Sequence, residues 1–197
     1  MSRLAESERR SLLEIARRSL VAAVHGLTFD EQPPLSENLR TPAGAFVTLW
    51  HGPRLRGCIG QFAGAEPLAQ IVAHCARLAA LEDPRFRSVA REELDDLTIE
   101  ISVLSDLEEI APEDIRVGQH GLVVTSSAGR GVLLPKVAAE FGWTAERFLE
   151  ETCVKAGLER DAWRSRGTVI QAFTAEVFSE SAVNAGECPA ERYSIST

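Results

Sequence analysis

The residues best suited to chemistry lie together in Leu55-Arg56-Gly57-Cys58-Ile59-Gly60. On an extended strand, side chains alternate between two faces. Arg56, Cys58 and Gly60 then point one way, and Leu55, Gly57 and Ile59 point the other. Leu55 and Ile59 have core character. A guanidinium close to a thiol favours the thiolate, the form that attacks and coordinates. Gly57 and Gly60 remove side-chain bulk, so a ligand or another backbone can come close. The functional expectation is a pocket in which Cys58 is a nucleophile or redox thiol and Arg56 holds an anionic group. The competing reading has Cys58 as a small buried hydrophobe and Arg56 paired with a carboxylate that fixes the strand.

Other polar residues rank behind that pair. Glu100 lies on the polar face of a strand, where it could partner Arg56 or act as a general base; a solvated strand face is the commoner explanation. His120 precedes Gly121 at a hairpin entry and could serve acid/base chemistry. A turn histidine that satisfies backbone groups is the plainer account. Arg130 sits in the loop Ser126-Ser127-Ala128-Gly129-Arg130-Gly131, whose backbone N–H groups could cradle an anion. The loop lacks the phosphate-binding pattern G-x-x-x-x-G-K-[ST], so an ordinary hairpin loop is the simpler expectation. A metal could use Cys58 with His51 or His120, but no ligand spacing supports one, and no metal is expected.

The elements that must position these residues follow from periodicity. Leu12, Leu13, Ala16, Leu20 and Val24 recur at helical spacing, with Ser7 as a candidate cap and Gly26 as a stop. Residues 27–43, with Pro33-Pro34 and Pro42, read as an irregular connection. Residues 44–60 read as a β-hairpin turning at His51-Gly52-Pro53. A helix is expected from Pro67 to Leu81, with Cys75 on its buried face. Leu97–Leu104 alternates Ile99, Ile101 and Val103 against Thr98, Glu100 and Ser102, a half-buried strand. Gly121–Thr125 and Val132–Leu134 form a second hairpin. Pro135 opens a short helix to Phe141, and Thr144 caps another through Ala156, with Gly157 after it. Thr168–Phe178 is the last strand, and a polar tail, 181–197, follows. Strands that arrive as hairpins, without regular helix alternation, give an α+β fold with a mainly antiparallel sheet and flanking helices.

Composition narrows the setting. Lys plus Arg is 21 against 29 Asp plus Glu, a net charge of −8. That sign opposes a phosphate backbone, and there is no interleaved basic–aromatic RNA-binding pattern, so nucleic acid is not the expected partner. No apolar run reaches the roughly 18 residues of a membrane span. The start, MSRLAESERR, does not read as a signal peptide. Cys58, Cys75, Cys153 and Cys188 are widely spaced, which suits free thiols in a reduced, cytoplasmic setting.

The segment LRGCIG at Leu55–Gly60 resembles the signature of the AMMECR family, the AmmeMemoRadiSam system protein A group. Flanking segments resemble the family in order: Gly44-Ala45-Phe46-Val47-Thr48-Leu49, Asp83-Pro84-Arg85-Phe86, Ile99–Ser105, Gly118-Gln119-His120-Gly121-Leu122 and Leu133-Leu134-Pro135-Lys136-Val137-Ala138. Phe141-Gly142-Trp143 and Trp163 continue the series. Lys136 departs from the pattern, which more usually has Gln. The resemblance implies one domain over 1–180, with two unequal lobes sharing a core. It also implies a link to a Memo-like protein and a radical SAM enzyme. It carries no particular reaction, and the cofactor is unknown. The chain itself lacks the C-x₃-C-x₂-C cluster motif of radical SAM enzymes. Two functions follow as expectations: an enzyme or ligand-binding protein using the Cys58/Arg56 face on a small or modified substrate, or a non-catalytic adaptor for those partners.

Overall fold

The computed structural model describes residues 4–29, 36–62 and 64–180. Pro33-Pro34, Cys188 and the tail 181–197 lie outside the described residues. The described chain is α+β and divides into two compact units: unit 1 holds the described residues up to Leu104 together with 176–180, and unit 2 is Ser105–Ala175.

Unit 1 begins with helix α1 (Glu6–Val24). Ser7 is not its cap. Ala5 holds the N-cap position, and the Glu8 carboxylate accepts the Ala5 N–H at 2.8 Å. Gly26 ends the helix with φ +69°, a conformation that favours glycine. The stretch expected to be irregular contains a one-turn helix, α2 (Glu37–Arg40). The hairpin β1 (Ala45–His51) and β2 (Arg54–Gln61) follows, then helix α3 (Leu68–Leu81) and strand β3 (Leu97–Leu104). Both strand neighbours of β1, its hairpin partner β2 and the later β3, run antiparallel to it. Alternation decides the faces: Ala45, Val47 and Leu49 of β1 and Ile99 and Ile101 of β3 are fully buried. They join Leu12, Ile15 and Leu20 of α1 and Leu68, Ile71 and Val72 of α3 in one apolar cluster. Small residues bring the two helices close, and Ser19 Oγ donates to the Ala73 carbonyl at 2.7 Å.

Unit 2 carries strand β4 (Glu108–Glu109), the hairpin β5 (Gly121–Thr125) and β6 (Arg130–Leu133), helices α4 (Pro135–Glu140) and α5 (Ala145–Lys155), and strand β7 (Val169–Phe173). Its strands are ordered β4-β7-β5-β6. Thr144 caps α5 as expected, accepting the Arg147 N–H. Leu122, Ala138, Phe148 and Leu149 centre a cluster of their own. The expected single strand over Thr168–Phe178 is two. It breaks at Thr174, and β8 (Ala175–Ser179) belongs to the unit 1 sheet, ordered β2-β1-β3-β8. In unit 1, Arg17 fixes the residue after β8, pairing with Glu180 while donating to the Leu94 and Leu97 carbonyls. Among the described residues no helix is long and apolar enough to cross a membrane.

Candidate functional site

The LRGCIG segment is β2, an edge strand of the unit 1 sheet. Its pairing with β1 is irregular. Leu49 faces Gly57 but Trp50 faces Leu55, so Arg56 is the extra residue of a β-bulge. Strict alternation therefore does not carry from Cys58 to Arg56. Nor is Leu55 part of the core, although Ile59 packs against it.

The bulge delivers Arg56 to the segment that follows α3. Its Nε and Nη2 bond both oxygens of Glu93 at 2.7 and 2.9 Å. Nη1 and Nη2 also donate to the Arg87 and Ser88 carbonyls. Glu93, not Glu100, is the carboxylate partner of Arg56. The Arg56 hydrogen bond, against the opposing effect of burial, helps hold Glu93 down to about 2 from its usual 4.5. A guanidinium filled in this way is a strand anchor rather than a ligand clamp.

Cys58 is attended by a different cation. It pairs with Thr48 across β1, and the Thr48 hydroxyl lies 3.3 Å from Sγ, donating to it. Because β2 is an edge strand, main-chain groups of Cys58 also face outward. Asp83 Oδ2 accepts the Cys58 N–H at 2.8 Å, and Arg85 Nη2 donates to the Cys58 carbonyl at 3.0 Å. Asp83 and Arg85 are themselves paired, Nε to Oδ1 at 3.0 Å and Nη2 to Oδ2 at 2.7 Å. Local sequence builds this clamp. The Phe86 N–H bonds the Asp83 carbonyl to close a turn around Pro84. Asp83 Oδ1 accepts the Arg85 N–H, an Asx turn. Burial alone would raise the Asp83 pKa; its hydrogen bonds with Arg85 and the Cys58 N–H outweigh that and hold it near 2.

The glycines prove to be filled by the protein itself. A Cβ on Gly57 would sit 2.2 Å from the Ala79 carbonyl oxygen of α3, and one on Gly60 2.2 Å from the Phe46 ring. Neither opens space for a ligand. Gly57 lets the end of α3 lie against β2, and that approach brings Asp83 to Cys58.

Of the remaining candidates, Glu100 shares a row with Cys58 and the others fall elsewhere. Glu100 stands opposite Thr48 on β3, so Cys58, Thr48 and Glu100 form a row across three strands. Thr48 in its middle is 3% exposed. His120 and Arg130 belong to unit 2. His120 Nδ1 accepts the Arg116 N–H at 3.2 Å, which is the turn role. Arg130 pairs with Thr125 in the β5–β6 hairpin. The hairpin loop is closed by Ser126 N–H to the Gly129 carbonyl. Gly129 and Gly131 abut Ala156 at the end of α5. His51 is exposed, 3.8 Å from Asp96. Among the described residues no group of three or more His, Cys, Asp or Glu is placed to hold a metal.

Three described cysteines are free thiols. Cys58 is partly exposed, whereas Cys75 and Cys153 are buried. Burial pushes the Cys75 thiol up to about 12 and raises Cys153. Sequence reasoning missed Thr48, Asp83 and Arg85 as neighbours of Cys58. The signal was present in Asp83-Pro84-Arg85, a turn with opposite charges two residues apart, but nothing local says which strand the turn meets.

Comparison with known proteins agrees with this architecture. The AMMECR1 family pattern matches residues 13–178. A protein of Thermofilum pendens is 38% identical over 198 residues, covering 91% of this chain and 93% of the relative. One of Methanothermobacter thermautotrophicus is 42% identical over 185 residues, covering 90% and 96%. The crystal structure of the uncharacterized protein PH0010 from Pyrococcus horikoshii superposes with a TM-score of 0.83 at 38% identity, covering 90% of this chain and 93% of that one. With the family pattern spanning most of the chain and relatives aligned over nearly their full length, the chain belongs to the AMMECR1 family.

Proposed function

We propose that the protein is an enzyme or ligand-binding protein that acts on a small or modified substrate through the Cys58 thiol, with Arg85 rather than Arg56 as its cationic neighbour. One observation carries the reading. The partly exposed thiol has a hydroxyl donor at Sγ, and its backbone is bound on the outer edge by a paired carboxylate and guanidinium. Catalytic groups need such support, because a nucleophile that wanders loses its alignment with the substrate. In attack, the thiol gives its proton to solvent, Sγ bonds to an unsaturated electrophilic carbon of the substrate, and the π bond there breaks with its electron pair moving to the doubly bonded atom. The partners implied by the family resemblance, a Memo-like protein and a radical SAM enzyme, belong to this reading as the source or the consumer of the substrate.

The test is metabolite profiling by mass spectrometry in strains carrying wild-type protein, Cys58→Ala or Cys58→Ser. Accumulation or loss of a metabolite in both variants, with protein abundance unchanged, is expected and would name the pathway. Unchanged metabolites with normal abundance would reject a working thiol and leave the adaptor role.

A further inference from the structure

We infer that Asp83 and Arg85 are positioning residues for the Cys58 thiol, an inference that rests on Cys58 being the working group. The argument starts from the sheet edge. On an edge strand, outward N–H and C=O groups are ordinarily satisfied by water or shielded by loops. Here both outward groups of one residue, Cys58, are taken by the two members of a single ion pair. Water would satisfy the same groups without fixing them. The carboxylate accepts four hydrogen bonds: one from Cys58 and three from Arg85. It is 4% exposed, so its place is rigidly determined. The guanidinium is planar and forked, and two of its nitrogens are committed to Asp83. Its charge is therefore held at the Cys58 carbonyl instead of sweeping through solvent.

Anchoring the loop to the sheet does not account for this pair. That task is already done by Arg56, which binds Glu93 and the carbonyls of Arg87 and Ser88. The same segment is thus tied to β2 twice, and the tie through Asp83 and Arg85 meets the strand at Cys58. Pro84 between them limits the backbone and keeps carboxylate and guanidinium in register.

The experiment measures iodoacetamide alkylation of each cysteine by peptide mass spectrometry, at one fixed pH near neutrality, in full-length wild type, Arg85→Ala, Arg85→Lys and Asp83→Asn. Cys75 and Cys153 serve as internal reporters of unfolding. In Arg85→Ala and Asp83→Asn the Cys58 rate is expected to fall roughly tenfold, because the backbone that carries the thiol is no longer held. Arg85→Lys, which keeps the charge but not the fork, should give an intermediate rate. If wild-type Cys58 is reactive and both Arg85→Ala and Asp83→Asn match its rate, the positioning role is overturned while the thiol reading stands. If wild-type Cys58 is itself inert, it is the proposed function that fails. Should Arg85→Ala expose Cys75 or Cys153 by unfolding, Arg85→Lys decides: partial loss supports the role, and a wild-type rate overturns it.

Discussion

Two carboxylates near Cys58 give the protein a specific acid response. Asp83 and Glu93 are each held down to about 2 in the folded chain, below the roughly 4 of an unfolded one. A depressed folded pKa contributes stability that is complete above the unfolded value and is lost as pH falls through the folded one. Thermal unfolding followed against pH should therefore show the midpoint dropping between about pH 5 and pH 2. Asp83→Asn should flatten that slope. The Asp83 share is about 2 kcal/mol, since one unit is worth about 1.4 kcal/mol. Arg56 and Arg85 separate at the same scale. Arg56→Ala leaves Glu93 without its bidentate partner and frees two carbonyls. A loss of roughly 2–3 kcal/mol in urea denaturation is expected. The alkylation rate of Cys58 in the folded fraction should not change, because Arg56 is committed to Glu93 and not to the sulfur.

Among the elements, the close crossing of α3 over β2 decides the site. Gly57→Ala would drive a methyl to 2.2 Å from the Ala79 oxygen, so strand or helix must move. A cost of roughly 1–3 kcal/mol is expected in chemical denaturation, as for other overpacked positions. Asp83 should retreat from Cys58, visible as faster exchange of the Cys58 amide. A variant as stable as wild type would mean that the crossing is looser than described. The elements themselves were readable from sequence wherever periodicity was strong: β3 was expected at Leu97–Leu104 and is found there, and α3 and α5 begin and end within a residue or two of expectation. The bulge at Arg56 was not readable, since register depends on the partner strand and not on β2 alone. The clamp on Cys58 joins residues 25 and 27 positions apart, a distance over which composition carries no signal. The break at Thr174 was missed because both strands are apolar and contiguous in sequence, and only sheet membership divides them.

At the scale of the whole molecule, each unit has its own apolar cluster and its own buried thiol. Cys75 reports on unit 1 and Cys153 on unit 2. Cys58 stands apart as the partly exposed one of the three. This distribution lets one protein carry its own controls, because opening of either unit would reveal itself as labelling of its core cysteine. The family kinship is carried by the match over residues 13–178 and does not depend on the thiol. The most direct measurement is therefore the native-state alkylation rate of Cys58 in the wild-type protein, read residue by residue against Cys75 and Cys153 and against a free cysteine peptide. Rapid modification of Cys58, at least as fast as the free peptide near neutral pH, with both core thiols protected, is the expected result. A Cys58 that reacts as slowly as Cys75 and Cys153 would contradict the account and reduce the LRGCIG segment to a structural edge.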